Sequence, residues 1–175
     1  PSQGWGSNEQ VTDPVYAINA FYDGLVKVAN YESLEITVAA QKVQRSAFPE
    51  AYAQHEANAR ALASALRGYS PAAFTCSVTV EEGTLTELTA YLAEFWPDSK
   101  VSTQGDVHSL SIPASAAKDK PVRGWALAHF LVGNAAEFGI QSVSYDDMRW
   151  EAGKTTSDWV PTEGIGQKAV TFTLN

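Results

Sequence analysis

Three histidines, His55, His108 and His129, and one cysteine, Cys76, are the residues of this chain most suited to metal or nucleophilic chemistry. The histidines fall on three different expected elements, and neither an HExxH nor a CxxC spacing accompanies them, so the residue types do not assemble a zinc motif. In "GDVHS", Asp106 precedes His108 by two positions, which puts both on one face of a strand. That pair has the chemistry of metal ligands, but a solvated polar face is the preferred reading. His129 lies within an apolar helical stretch and reads as a hydrogen-bonded core histidine. Cys76 lies in mid-strand, where a buried, inert thiol is the usual case, and no GxSxG elbow offers a serine nucleophile in its place. "GIGQK" lacks both the glycine spacing and the following helix of a phosphate loop.

The remaining chemistry belongs to carboxylates and indoles. Glycoside cleavage needs a protonated carboxyl in an apolar pocket, often with a second carboxylate opposite. Glu32, Glu35, Glu50 and Glu56 are available in the first half, but no motif surrounds them and they read as solvated surface acids. No catalytic residue, metal ligand or cofactor is therefore assigned. Trp125 and Trp150 occupy inward positions of an expected helix and strand. Trp5 and Trp159 lie in loops, where an indole is either a sugar-stacking face or a plug folded back over its own domain, the second being preferred.

The elements that would position these residues divide into two halves. Asp13 and Pro14 form an N-cap and first-turn pair, and Ile18, Phe21, Leu25 and Val28 follow at helical spacing, predicting a helix over 14–28 with that face inward. Thr37 is the expected cap of a second helix, with Val38, Ala39 and Val43 inward. Pro49 opens a third, on which Tyr52, Ala59, Leu62 and Leu66 share a face and Gly68 supplies the stop. After "RGYSPAA" the period changes. Phe74, Cys76, Val78 and Val80 alternate with polar residues as in a half-buried strand. A helix bearing Leu85, Leu88, Leu92 and Phe95 ends at Pro97, and a strand covers 106–112. An apolar helix spans 122–138, with Gly139 as a left-handed C-cap. Ile140, Val143 and Tyr145 then form a strand, Asp146-Asp147 a tight turn, and Met148 with Trp150 the return strand. Loop formers fill 153–167, and Val170, Phe172 and Leu174 close the chain as an amphipathic strand. The expected fold is α+β: a helical segment over 1–68, then a mixed sheet with two helices on one face over 69–175, in the order β-α-β-α-β-β-β.

Composition bounds the partners. An apolar share of 45% with five tryptophans, seven tyrosines and seven phenylalanines, in a chain of 175 residues, is ample for a packed core. A net charge of −8 disfavours nucleic acid and anionic membranes as partners. No apolar run reaches the roughly 20 residues of a membrane span. A single cysteine forms no internal disulfide. It suits a cytosolic protein, or a secreted one whose partner cysteine lay in a removed segment. The abundance of Ala, Thr and Ser, the few lysines and the acidic balance resemble secreted proteins of high-GC bacteria. A chain that opens on proline rather than methionine is expected to have lost an upstream piece.

The stretch "PSQGWGSNEQVTDPVYAINAFYDGLVKV", followed by "ITVAAQKVQRSAFPEAYAQHE", resembles the second half of a lysozyme-like, lytic-transglycosylase-type module of secreted actinobacterial cell-wall proteins. The resemblance covers about residues 1–68. It implies that the general acid belongs to a Glu-Ser motif upstream of Pro1. It also implies that "AAQKVQRSAFP" stands where such enzymes carry an Ala-Tyr-Asn-Ala-Gly-type motif along the glycan groove. Gln44 and Arg45 replace the tyrosine and asparagine there, with Ser46 adjacent, a departure that counts against full glycan-cleaving competence. More loosely, "RGWALAHFLVGNAAEFGIQSVSYDDMRW" resembles a C-terminal module of other actinobacterial and fungal secreted proteins. Neighbouring wall carboxypeptidases bind zinc through a His and Asp pair before a comparable helix; only "DVHS" is present here, and zinc is not carried over.

The resulting expectation is a secreted, peptidoglycan-associated binding or structural module, catalytically incomplete as it stands. Gln44, Arg45, Ser46 and Trp5 are its candidate ligand contacts. Peptidoglycan or another glycan is the expected partner, with its own upstream segment as a second candidate. The alternative is a peptidoglycan hydrolase or lytic transglycosylase whose catalytic glutamate lies upstream of Pro1.

Overall fold

The computed structural model describes residues 4–113, 118–153, 155 and 157–175, apart from the side chain of Tyr52. Two compact units divide the chain, Pro1–Arg60 and Ala61–Asn175. Together they form an α+β protein with a six-stranded sheet.

The first unit is helical. Helix α1 (Asn8–Thr12) starts with a capping box, in which the Ser7 hydroxyl accepts from Gln10 N–H while the Gln10 side chain accepts from Ser7 N–H. Asp13 caps helix α2 (Pro14–Leu25), its carboxylate accepting from the N–H groups of Val15 and Tyr16 as the Asp-Pro pair predicts. Helix α3 (Ile36–Gln44) has Glu35 as its N-cap, two residues before the expected Thr37, with no side-chain cap hydrogen bond. The segment opened by Pro49 is a 3₁₀ turn (Pro49–His55) that passes into α4 (Glu56–Leu66). Helix α4 carries the division between the units.

The inward face expected for α2 is only partly inward. Phe21, Leu25 and Val28 are half-buried, but Ile18 is exposed. Val15 (68% exposed), Ile18 (56%), Tyr22 (57%) and Val26 (63%) form an apolar stripe at i, i+3, i+7 and i+11 that faces solvent. Ala39 is the one buried apolar residue among the described residues of this unit, and Val38 is exposed. Helical periodicity reports an apolar face whether or not something covers it. The same holds on α4, where Leu62 and Leu66 are exposed and Ala65 is buried; the Tyr52 side chain lies outside the described residues.

The second unit holds the core. Helix α5 is Leu85–Phe95, α6 Lys120–Gly133 and α7 Ala135–Phe138. Strands β1 (Val101–Gln104), β2 (Val107–Ser111), β3 (Ile140–Tyr145), β4 (Met148–Glu151), β5 (Val160–Pro161) and β6 (Ala169–Leu174) pair in the order β1-β2-β6-β3-β4-β5. Every ladder is antiparallel, so the sheet is not the mixed one expected. The cause is connectivity: β1–β2 and β3–β4 are hairpins, and β6 inserts antiparallel to both. The strand expected over 106–112 is half of the first hairpin, because Gly105 (φ +60°) and Asp106 form its turn. At the second hairpin Asp146 (φ +52°) and Asp147 (φ +55°) supply the positive φ values of a type I′ turn. Part of the expected loop over 153–167 pairs with β4 as β5.

The segment 74–80 is not a strand. Phe74, Cys76, Val78 and Val80 do pack against the core while Thr75, Ser77 and Thr79 are exposed, so the alternation is correct. Among the described residues no ladder accompanies it. The contacts run through side chains instead: Trp159 Nε1 donates to Phe74 O (2.9 Å), Ser77 Oγ to Thr155 O (3.1 Å), and Trp150 Nε1 to Thr75 Oγ1 (3.1 Å).

The apolar helix over 122–138 is buried as expected and broken at Asn134 into α6 and α7. Trp125, Leu127, Leu131 and Phe138 join Ile140, Val143, Tyr145, Trp150, Val170 and Phe172 in one cluster. Helix α5 packs through Tyr91 onto Phe130 and Phe138, at ring separations of 5.8 and 5.0 Å. Each large apolar side chain in this cluster contributes roughly 1.5–3 kcal/mol through burial.

Candidate functional site

Trp5 and Arg45 line one cavity of about 340 Å³ in the first unit, together with Lys27, Lys42 and Val43. The cavity exists because α2 and α3 meet closely at Gly24: a Cβ there would lie 2.7 Å from Val43 Cγ1, so only glycine permits the approach. That approach brings Lys27, just past the end of α2, beside Lys42 and Arg45 on α3. Trp5 is half-buried, set 6.3 Å from the Phe21 ring, and its carbonyl accepts from the Tyr16 hydroxyl at 2.9 Å.

Arg45 ends α3 in the left-handed region (φ +49°, ψ +45°), a conformation that disfavours a side-chain-bearing residue by roughly 1–2 kcal/mol. Three hydrogen bonds hold the turn: Arg45 N–H donates to Gln41 O (2.8 Å), Gln41 Nε2 to Ser46 O (2.8 Å), and Phe48 N–H to Ser46 Oγ (3.1 Å). Gln44 and Ser46 do not line the cavity. Ser46 braces the turn, and the Gln44 Oε1 atom is buried without a hydrogen-bond partner among the described residues. Of the four expected ligand contacts, the fold thus brings two together.

Lys27 and Lys42 are missing from that expectation. Nothing local marks them, since they become neighbours only through the Gly24–Val43 approach. Among the described residues the ion pairs are Glu56–Arg60 and Arg149–Glu151, so Lys27, Lys42 and Arg45 have no carboxylate partner there. The cavity carries three cations and no acid in a chain of net charge −8. Three like charges within one cleft repel each other, and a ligand with hydroxyl, carbonyl or anionic oxygens relieves that repulsion. The Trp5 ring offers a flat apolar face beside them.

The acids considered for glycoside chemistry lie elsewhere. Glu32, Glu35 and Glu50 are exposed, and Glu56 binds Arg60 Nε at 2.8 Å. Glu50 lines a separate cavity of about 230 Å³, in which no second carboxylate takes part. Asp106 belongs to the β1–β2 turn, off the face it was expected to share with His108. His108 Nδ1 lies 3.0 Å from Thr103 Oγ1 across that hairpin. Among the described residues no three His, Cys, Asp or Glu side chains gather as a metal cluster. Trp159 is a plug over its own domain: it is 8% exposed and meets the Trp125 ring edge-on at 5.1 Å. Cys76 is half-buried against the core.

No helix is long and apolar enough to cross a membrane, among the described residues. No family model, curated protein or solved structure matches the chain.

Proposed function

We propose that this chain is a secreted, cell-wall-associated module that holds peptidoglycan or a related glycan without cleaving it. The observation that supports this reading is the gathering of Trp5, Arg45, Lys27 and Lys42 around one cavity without a carboxylate. An indole face against a sugar ring, flanked by cationic donors to hydroxyl and carboxylate oxygens, is the chemistry by which an acidic protein grips a polyhydroxylated, carboxylate-bearing polymer. Cleavage asks for something further. A general acid contributes roughly 10²–10⁴-fold, and glycoside hydrolysis draws on a carboxyl at the scissile bond. The lining of this cavity has none.

Co-sedimentation with insoluble peptidoglycan, run beside an assay for released reducing and anhydro sugars, tests the reading. Binding without release is expected, and Trp5→Ala and Arg45→Gln should each weaken it with the far-UV circular dichroism unchanged. Sugar release by the chain alone would overturn this reading, and release only once a segment carrying the upstream Glu-Ser motif is supplied would favour the hydrolase or lytic transglycosylase. Absence of binding would remove both.

A further inference from the structure

The second unit contains a larger cleft, of about 570 Å³, between the end of α4 and the first turns of α6, to which the glycan reading assigns no role. Its walls are two arginine–aromatic pairs. The Arg67 guanidinium carbon lies 5.6 Å from the centre of the Tyr69 ring, and that of Arg123 lies 5.0 Å from the centre of Trp96. Val122 and Ala126 add apolar surface.

This geometry follows from Gly68. With φ at +80° it closes α4 in a Schellman motif, Tyr69 N–H donating to Ser64 O (2.9 Å) and Gly68 N–H to Ala65 O (2.8 Å). A Cβ at position 68 would run into the backbone of Val122 and Ala126, so glycine lets the end of α4 sit directly on α6. Arg67 and Tyr69, on either side of Gly68, are thereby brought to Arg123.

Neither guanidinium donates a hydrogen bond or forms an ion pair within the described residues. Arg123 Nε and Trp96 Nε1 are withdrawn from water and also lack an acceptor there. Buried donors left unpaired are unfavourable, so this wall of the cleft is short of acceptors. Among the described residues Asp119 is the one acid in the lining beside the two arginines, which leaves the cleft at a net +1.

We infer that this cleft binds a monocarboxylate that carries a short apolar body. The planar fork of arginine matches a carboxylate in two parallel hydrogen bonds. A net charge of +1 suits a monoanion better than a phosphate dianion. The volume falls in the range of small-molecule sites, roughly 300–1,000 Å³, and leaves space for an apolar body against Val122 and Ala126. The inference is independent of the glycan reading, because its probes contain no sugar.

The test titrates the whole chain with acetyl-alanyl-alanine, its C-terminal amide and inorganic phosphate. It follows the Trp96 indole N–H and the Arg67 and Arg123 Nε–H resonances by NMR. The free acid should bind saturably with a Kd of about 1 mM, and the amide and phosphate at least about tenfold more weakly. Arg67→Gln and Arg123→Gln, checked for unchanged thermal melting, should each weaken the acid about 10–100-fold. Amide or phosphate binding as tight as the acid would overturn the inference. So would a lack of saturation by about 10 mM acid, or unchanged affinity in folded Arg123→Gln.

Discussion

His129 Nδ1 lies 2.7 Å from the carbonyl oxygen of Ala65, so the last turn of α4 dictates which imidazole nitrogen carries the proton. An oxygen only accepts; Nδ1 therefore donates, and in the neutral ring Nε2 holds the lone pair. That Nε2 is buried without a partner among the described residues, in a ring packed by Trp125, Trp159 and Phe74.

Acid should therefore destabilise the second unit before its carboxylates titrate. Burial holds the His129 pKa below its ordinary 6.5, against a smaller opposing effect of the Ala65 hydrogen bond. With the folded pKa depressed, the unfolded chain takes up the proton first. The contribution is full above pH 6.5 and is lost as pH falls from there toward the folded value. Thermal melts stepped from about pH 8 to about pH 5 should show a falling midpoint, and His129→Leu should flatten that slope. Equal slopes in the two proteins would contradict the assignment.

Tyr145 gives the alkaline counterpart. Burial, reinforced by the neighbouring Asp146 carboxylate, raises its phenol to about 12 from 10.0. The unfolded chain loses this proton first, so stability present below pH 10 declines as pH rises toward 12. Spectrophotometric titration should show one of the seven tyrosines ionising late, and Tyr145→Phe should remove that late step. The space for this ring comes from Gly124, whose missing side chain the phenol fills. Gly124→Ala should cost about 1–3 kcal/mol in urea unfolding through overpacking.

Amide hydrogen exchange should separate the two kinds of extended chain in the second unit. Strands β3 and β6 are paired on both sides and belong to the slowest-exchanging set. The amides over 75–80 have no ladder among the described residues and should exchange far faster, although their apolar side chains are packed. Matching protection in the two segments would show that 74–80 is a true strand.

Leu131 and Ile18 both belong to apolar helix patterns, yet should respond in opposite ways to truncation. Leu131 is fully buried, and Leu131→Ala should cost about 2–5 kcal/mol. Ile18 is more than half exposed, and Ile18→Ala should change stability by less than about 0.5 kcal/mol. Denaturant midpoints of the two variants check the contrast.

These contrasts show what could be read in one dimension. Asp13-Pro14, Gly68, Gly139 and the Asp146-Asp147 turn were legible because each acts through its own backbone within a few residues. The alternation from Phe74 to Val80 was also legible, but it reports burial and is silent on which backbone groups a segment bonds. The pairing of β6 between β2 and β3, which makes the sheet antiparallel, depends on contacts more than 25 residues apart. Trp5 and Arg45 were marked by residue type and by a family resemblance. Lys27 and Lys42 acquire meaning only once Gly24 lets two helices touch. The Arg67 and Arg123 cleft arises in the same way, from a glycine that closes one helix onto another.

The central place of β6 has a consequence for how the protein is made. A ribosome delivers the β1–β2 hairpin by residue 111 and the β3–β4 hairpin by residue 151, but the strand that joins them spans 169–174. Until it emerges, β2 and β3 each present a bare edge, and a lone two-stranded hairpin is marginal in water. At about 5–20 residues per second the interval is short, yet it is when the nascent sheet is most open to capture by another chain. Truncation before Ala169 should therefore leave two unjoined hairpins prone to aggregate, instead of a smaller native sheet.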